Sequence, residues 1–403
     1  MIYIYRVIFL LLSVGIPNYF VDFDVENLNS AGLNIVVYIR LFVFLTAILF
    51  LSVEIIRTNR FSFRVGKLFL LPLLLYTYYF IITVFMQQGR DLYVSLYRIV
   101  EYLIFLIFLY QYIYRFRYLG SKYIVETQVA WVLIYTLIIV IVGLVFFPDK
   151  MITVLSNGSL RLGGMAMHPN TLGNLAVVGF LYYFFLGIGF KRKVLSLTWL
   201  IILAFTLSRG AYFAFIVSMF YWAALKSNYK FVFRLIALPI IIFSTILIVP
   251  NLINFLSRGQ GMDGLISLSG RLPVWLISID VISSNVQNFV FGISFGQASD
   301  IIGDLMVSEY GITYWKSQNA HNDLLQAMLG GGIFAVSITM YVYVSMFVKV
   351  SNIWGSGVAG FYVGLAIVLI LFSISMTTIN FNLSVFSALI WMLFVFQRKE
   401  GVV

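Results

Sequence analysis

The sequence predicts an all-α polytopic membrane protein with about twelve transmembrane helices. Of its 403 residues, 62% are hydrophobic and 10% are charged, and its mean hydropathy is +1.00. Soluble domains contain roughly 25% charged residues, so an ordinary water-soluble globule is excluded. Continuously apolar runs, of the length that crosses a bilayer as a helix, recur from end to end. Strands of a transmembrane barrel would instead alternate apolar and polar residues.

Twelve apolar segments account for the predicted helices. The first has neither a basic leader nor a small-residue cleavage site, so we expect a retained helix rather than a signal peptide. The seventh and eighth segments are short and meet at the sequence Ser-Arg-Gly, 208–210, which makes their boundary the least defined. The segments cover 2–17, 35–56, 68–86, 92–114, 123–147, 170–190, 194–207, 210–225, 231–250, 321–348, 357–377 and 380–397.

Sixteen of the 26 basic residues lie in connections that fall on one side of the membrane when these segments are counted in order. By the positive-inside rule that side is the cytoplasm, and both termini lie in it. The topology therefore explains much of the net charge of +11, and no nucleic-acid partner is required. The connections concerned are 57–67, 115–122, 191–193, 226–234, 349 and 398–399.

The opposite side carries a connection of about 70 residues, 251–320, between the ninth and tenth segments. The chain thus divides into nine helices in 1–250, an outer loop in 251–320 and three helices in 321–403. Within the loop, residues 271–286 show helical spacing, with one mainly apolar face formed by Leu272, Trp275, Leu276, Ser278, Val281 and Ile282. We expect an amphipathic helix that lies on the membrane surface or packs over the bundle.

The chain contains no cysteine and two histidines. The absence of cysteine excludes disulfides, thiol nucleophiles and thiolate metal sites. Because the histidines form no close cluster with carboxylates in the sequence, we expect no metal site and no cofactor.

Three arginines, Arg161, Arg209 and Arg271, fall at or near the outer interface in this topology, where basic residues are disfavoured. The planar guanidinium binds phosphate oxygens through paired hydrogen bonds, so converging arginines could hold an anionic ligand such as a diphosphate. Arg209 is the most informative, because a charge between two apolar segments is costly unless it faces protein or water. The alternative is that each arginine snorkels to the interface or pairs with a carboxylate such as Asp280.

His321 lies on the same side, at the start of the tenth segment. An ordinary pKa near 6.5 suits histidine to proton abstraction, but a histidine at a helix start can also bond locally. Asn322 could bind a substrate hydroxyl or simply begin the helix. Asp304, Glu309 and Asp323 are nearby in sequence and are alternative proton acceptors.

Two further features flank the tenth and sixth segments. The glycines 330–332 lie two to three turns beyond His321, where missing side chains let a neighbouring helix approach closely. His168 precedes Pro169 and Asn170, which form a helix-entry signal, so it is either a bystander or a ligand-binding residue of the same site.

Five stretches together are similar, in order and spacing, to the O-antigen ligase and polymerase superfamily (Wzy/WaaL-like). They are RLGGMAMHPNTLGN, TLSRGAYFA, GRLPVW, GISFGQ and AHNDLLQAMLGGG, and they span about residues 160 to 335. The resemblance implies a GT-C-like glycosyltransferase of the bacterial inner membrane, with a large periplasmic loop between helices 9 and 10. It also implies metal-independent, inverting glycan transfer from undecaprenyl diphosphate at the periplasmic face.

The same resemblance assigns roles to individual residues. Arg209 and Arg271 match the family's essential arginines, His321 matches its essential histidine, and Arg161 matches a frequent arginine before the sixth segment. The arginines would bind the donor diphosphate and stabilise the charge on it as it leaves, and His321 would accept the proton of the attacking hydroxyl.

The motifs do not separate a polymerase from a ligase. A polymerase joins lipid-linked repeat units, whereas a ligase transfers the finished chain to lipid A-core. The 39 Phe and 26 Tyr residues suggest A+T-rich coding DNA, typical of polysaccharide gene clusters, and favour an O-antigen polymerase. Its partners would then be the lipid-linked donor and acceptor, the bilayer, and possible chain-length regulator and flippase proteins. A lipid-linked glycan transporter is a third reading, although no internal repeat is visible.

Overall fold

The computed structural model describes residues 2–14, 35–58, 67–86, 91–154, 158, 160–164, 167–226, 271–296, 298–310, 320–351, 358–380 and 383–395. This part of the chain is helical apart from one short antiparallel hairpin. Its elements are α1 (Ile2–Ser13), α2 (Ile35–Thr58), α3 (Lys67–Met86), α4 (Asp91–Arg115), a 3₁₀ turn (Arg117–Leu119), α5 (Ser121–Phe146), α6 (Pro148–Met151), β1 (Ile152–Val154), β2 (Leu160–Leu162), α7 (Pro169–Leu186), α8 (Gly189–Thr206), α9 (Arg209–Lys226), α10 (Arg271–Ser283), α11 (Val286–Phe291), α12 (Ala298–Tyr310), α13 (Asp323–Ser351), α14 (Ala359–Ser375) and α15 (Val385–Val395).

Eleven of the twelve predicted apolar segments correspond to helices, and the ninth, 231–250, lies outside the described residues. Within the described part, four helices are long and apolar enough to cross a membrane, which supports a membrane protein. The total of twelve spans stays a prediction. The four are Phe69–Met86, Leu92–Arg115, Ser121–Phe146 and Asp323–Val350, and shorter apolar helices are Ile2–Ser13, Leu41–Val53, Ala359–Ser375 and Val385–Val395.

The short seventh and eighth segments form two separate helices, as predicted. α8 ends at Thr206 and α9 begins at Arg209, and between them Leu207 has a left-handed backbone with φ of 46°. The α8 helix starts earlier than expected, at Gly189, so the basic residues 191–193 belong to its first turns and are not part of a connection.

The helices α7, α8, α9 and α14 pack together. A Cβ atom on Gly173 of α7 would lie 2.8 Å from Cβ of Ser208, and one on Gly179 would overlap the ring of Trp199. Gly173 therefore lets α7 approach the turn between α8 and α9 closely, and Gly179 lets it approach α8 itself. The helix α15 is buried along its whole length, which is typical of a helix that is apolar on all sides.

The predicted helix in the loop 251–320 exists and packs against the start of α13. There, apolar residues of α10 and α12, together with Ile293 after α11, form a second apolar cluster with the start of α13. The predicted helix ends at Ser283 instead of 286, because the Asn285 side chain accepts a hydrogen bond from Asn288 N (2.7 Å) and caps α11. The predicted buried face was wrong in part. Val274, Ile277 and Ile282 are buried, whereas Leu272 and Leu276 are exposed.

The helix α13 is broken at the predicted glycine cluster. Gly331 and Gly332 have non-helical backbone angles, and φ of Gly332 is +61°. A Cβ atom on Gly332 would overlap the carbonyl group of Val290 in α11. The break frees the carbonyl of Leu329, which accepts a hydrogen bond from Ile293 N (2.7 Å). The packing role predicted for these glycines is therefore confirmed.

Candidate functional site

Arg161 is held in place by the end of α8 and the start of α7. It lies on β2 opposite Thr153 and is 8% exposed. Its Nε donates to the carbonyl of Thr206 (2.7 Å), and its Nη2 donates to Oδ1 of Asn170 (3.0 Å). The last carbonyls of a helix have no partner within the helix, so Thr206 is a natural acceptor for a cation. Two donors of this guanidinium are thus already engaged.

Asn170 links Arg161 to the turn that carries Arg209. Its Oδ1 also accepts a hydrogen bond from Oγ of Ser208 (3.1 Å), and its backbone N donates to Nδ1 of His168 (3.2 Å). His168 is therefore the N-cap of α7, and Ser208 is fixed directly before the first residue of α9. One amide side chain fixes the relative positions of two arginine-bearing segments.

Arg271 is the first residue of α10 and reaches the end of α14, where its Nη2 lies 3.8 Å from Sδ of Met376. A thioether is a weak acceptor, so this contact leaves the guanidinium largely available to a ligand. Burial lowers the pKa of Arg271, and the nearby Arg209 lowers it further. The pKa of Arg161 is lowered to about 10 by burial and by Arg209. Positive charges thus repel one another across this site, which favours an anionic ligand.

His321 lies immediately before the N-cap of α13, and its φ of 49° is unusual for a residue with a side chain. Burial lowers its pKa to about 4, with a further contribution from Arg271. The imidazole is therefore neutral near pH 7 and can accept a proton.

These side chains meet around one cavity of about 240 Å³. None of the described residues that line it carries a carboxylate, so the cavity is cationic. Its lining consists of Arg161, His168, Asn170, Asn174, Ser208, Arg209, Gly210, Arg271, His321, Ser375 and Met376.

The structure brings together five of the six side chains selected from the sequence, namely Arg161, His168, Arg209, Arg271 and His321. Asn322 is outside this lining. Its Oδ1 accepts hydrogen bonds from N of Leu324 (3.0 Å) and N of Leu325 (3.1 Å), and its Nδ2 donates to the carbonyl of Ile374 (3.2 Å). The side chain caps α13, which is the helix-start role considered from the sequence, and its binding of substrate stays a prediction.

The carboxylates considered as alternative bases do not line the cavity. Asp323 is fully buried and accepts hydrogen bonds from N of Thr378 (2.8 Å) and N of Asn380 (3.2 Å). Asp304 is exposed on α12, and the side chain of Glu309 lies outside the described residues. Among the described residues, no group of three or more His, Cys, Asp or Glu side chains is placed to hold a metal ion.

Several lining residues escaped the sequence analysis. Asn170 was read only as a helix-entry residue, although its place beside a histidine in the motif HPN was a usable signal. Ser208 adjoins Arg209 in the motif SRG. Ser375 and Met376 end an apolar helix about 100 residues after Arg271, and no local pattern indicated that they contact it.

The fold and the site together define a class: a polytopic helical membrane protein with a cationic cavity beside a neutral histidine. Residues 194–340, about a third of the chain, match the model of a domain family, Wzy_C, which is described as O-antigen ligase and is shared by Wzy polymerases and WaaL ligases. This domain contains Arg209, Arg271 and His321. It implies a glycosyltransferase-type enzyme that acts on lipid-linked glycans. A comparison with curated proteins gave no match.

Proposed function

We propose that the protein is an O-antigen polymerase, which joins undecaprenyl-diphosphate-linked glycan repeat units at the periplasmic face of the bacterial inner membrane. The observation that carries the proposal is the convergence of three arginines and a neutral histidine on one cavity without a carboxylate among its described lining residues. The positive charges suit the binding of a diphosphate, and the neutral histidine can accept the proton of the attacking hydroxyl. The active site faces the periplasm and both termini lie in the cytoplasm, as the distribution of basic residues predicts.

The arginines have different roles because their contacts differ. Arg161 has its Nε and Nη2 engaged by Thr206 and Asn170, so it contributes charge from a fixed position. Arg271 contacts a thioether sulfur, which is a weak acceptor. Its guanidinium N–H groups are therefore available for paired hydrogen bonds to phosphate oxygens. Arg209 begins α9 between them and completes the diphosphate site.

The reaction is an inverting displacement. The acceptor hydroxyl attacks the anomeric carbon of the donor, the bond from that carbon to the diphosphate oxygen breaks, and lipid diphosphate leaves with the bond electrons. His321 accepts the hydroxyl proton, and the arginines stabilise the charge on the leaving diphosphate. A lipid diphosphate is an activated donor, so the proposed reaction requires neither a metal ion nor a cofactor.

Donor binding also prepares the base. Burial and Arg271 lower the pKa of His321 to about 4, so the imidazole is neutral but weakly basic. A bound diphosphate supplies negative charge beside Arg271, which raises the pKa of His321 towards neutrality. The histidine therefore becomes a stronger base when the donor is in place.

A ligase is the second candidate, because the matching family model is described as O-antigen ligase. The composition, rich in Phe and Tyr, favours the polymerase. In the polymerase the acceptor is another lipid-linked repeat unit, and a flippase and a chain-length regulator act before and with it. In the ligase the acceptor is lipid A-core.

The lipids of a deletion strain distinguish these functions. We expect single repeat units on lipid A-core, with the ladder restored by the wild-type gene and absent with His321→Ala. Accumulation of lipid-linked polymer would identify a ligase, and unflipped lipid-linked units on the cytoplasmic side would identify a transporter. A normal ladder with His321→Ala, at wild-type protein level, would contradict the role of His321 as the base.

A further inference from the structure

The motif GRLPVW contains a tryptophan to which the proposed chemistry gives no role. Trp275 is four residues after Arg271 on α10, so both side chains project from the same side of the helix. Arg271 lines the cavity, while Nε1 of Trp275 donates to the carbonyl of Ala320 (3.0 Å). Ala320 is the residue directly before His321.

Ala320 is held from two sides. Its carbonyl accepts the indole N–H of Trp275, and its own N donates to Oε1 of Gln326 (3.0 Å) on α13. Ala320 is also fully buried in the cluster beneath α10. Both backbone polar groups that precede His321 are thereby fixed by side chains of two different helices.

His321 needs this support because of its backbone conformation. Its φ of 49° lies in the left-handed region, which is sterically unfavourable for a residue with a side chain. Such conformations persist where the surroundings impose them. Fixing Ala320 sets the direction in which the chain enters His321, and hence where the imidazole points.

We infer that Trp275 is a positioning residue, which aligns His321 with the diphosphate bound by Arg271. One helix then controls both halves of the reaction, because one turn of α10 separates the residue that binds the leaving group from the residue that orients the base. Gln326 assists Trp275, because its Oε1 accepts the hydrogen bond from Ala320 N. The inference rests on the proposed function, since it assumes that His321 removes the acceptor proton.

The substitution Trp275→Phe removes the N–H donor and keeps an aromatic ring. The assay uses purified protein in proteoliposomes, with lipid-linked repeat units extracted from the deletion strain. We expect kcat to fall roughly 10- to 100-fold, the range that misplacement of a reacting group causes, with KM changed less than about twofold. Trp199→Phe is the matched control, because the Trp199 indole N–H is buried and makes no hydrogen bond within the described part of the chain. It should leave kcat unchanged even if it lowers stability.

Gln326 supplies a second arm with a conservative rescue. Gln326→Met deletes the acceptor for Ala320 N and should lower kcat as Trp275→Phe does. Gln326→Glu retains a side-chain oxygen there and should restore most of the wild-type kcat. Thermal unfolding in detergent separates loss of alignment from loss of folded protein in each variant.

The outcomes are distinct. Trp275→Phe with wild-type kcat, while His321→Ala is inactive, overturns the positioning role and leaves the proposed function standing. The positioning role is also overturned if Trp275→Phe and Trp199→Phe lower kcat equally, or if Gln326→Met and Gln326→Glu lower it equally. Glycan transfer by His321→Ala at the wild-type rate would instead refute the proposed function itself.

Discussion

Asp323 anchors the N-terminal end of α13 to the connection between α14 and α15, and its replacement should destabilise the protein. The carboxylate accepts hydrogen bonds from three consecutive backbone N–H groups, those of Thr378 (2.8 Å), Ile379 (3.4 Å) and Asn380 (3.2 Å). It also accepts from the hydroxyls of Tyr343 (2.5 Å) and Thr378 (3.0 Å). All four of these residues are buried or nearly so, so water is a poor substitute for the carboxylate.

The magnitude follows from the groups left without an acceptor in Asp323→Leu. The two hydroxyls lie 2.9 Å apart and can bond to each other, so they contribute little. The N–H groups of Thr378 and Asn380 make the shorter backbone bonds, and a buried donor without a partner costs about 1–3 kcal/mol. Two such groups give a loss of about 2–6 kcal/mol in the free energy of unfolding.

The matched variant is Asp323→Asn. Its amide oxygen can take the place of Oδ1 and accept from both Thr378 N and Asn380 N, while the amide N–H₂ donates to the rotated hydroxyls. We therefore expect a loss of only about 1 kcal/mol, mainly from weaker hydrogen bonds to a neutral acceptor. The assay is unfolding in detergent, followed by tryptophan fluorescence, together with glycan transfer.

A different pattern would refute this reasoning. If both variants unfold like the wild type and both are inactive, Asp323 acts in the chemistry as a proton acceptor and not as a structural anchor. If Asp323→Asn is as unstable as Asp323→Leu, the negative charge matters more than the hydrogen-bond count.

Three further predictions concern the kink, the base and the arginines. Gly332→Ala should lower the free energy of unfolding by about 1–3 kcal/mol, since φ is +61° and the new Cβ would overlap Val290. Gly303→Ala is the control: the space around Gly303 is open, so the substitution should be neutral or slightly stabilising in the same unfolding measurement. The pH profile of kcat/KM reports the free enzyme, so its acid limb should lie near pH 4. The acid limb of kcat should lie at higher pH, because bound diphosphate raises the pKa of His321. Acid limbs at the same pH in the two profiles would contradict donor-induced activation. Arg209→Lys keeps the charge but loses the paired N–H donors of the guanidinium, so glycan-transfer activity should fall by at least about tenfold. Full activity would show that Arg209 only snorkels to the interface.

Much of the candidate site could be predicted from the sequence because topology restricts where charges lie. Arg209 and His321 lie at the ends of apolar runs and Arg161 lies in a connection between two runs, and counting the runs predicts that all three lie on one side of the membrane. In the structure these three side chains line one cavity. The motifs of the family resemblance pointed to the same residues.

What the sequence did not reveal depends on contacts between distant segments. In α10, apolar side chains lie on both sides of the helix, so periodicity did not distinguish the buried Val274 and Ile277 from the exposed Leu272 and Leu276. The anchoring of Asp323 by residues 378–380 and the contact of Arg271 with Met376 join segments 55 or more residues apart. No local pattern encodes such pairs.

The anchoring of Asp323 has a consequence for how the protein is made. Its backbone partners are synthesised 55 to 57 residues later, after the residues of α14. A nascent chain that ends before residue 378 has its arginines and histidine but lacks the amides that fix the start of α13. Release of the last two helices from the ribosome and their entry into the membrane therefore complete the site, and a chain truncated within α14 should be an insertion intermediate without a formed cavity.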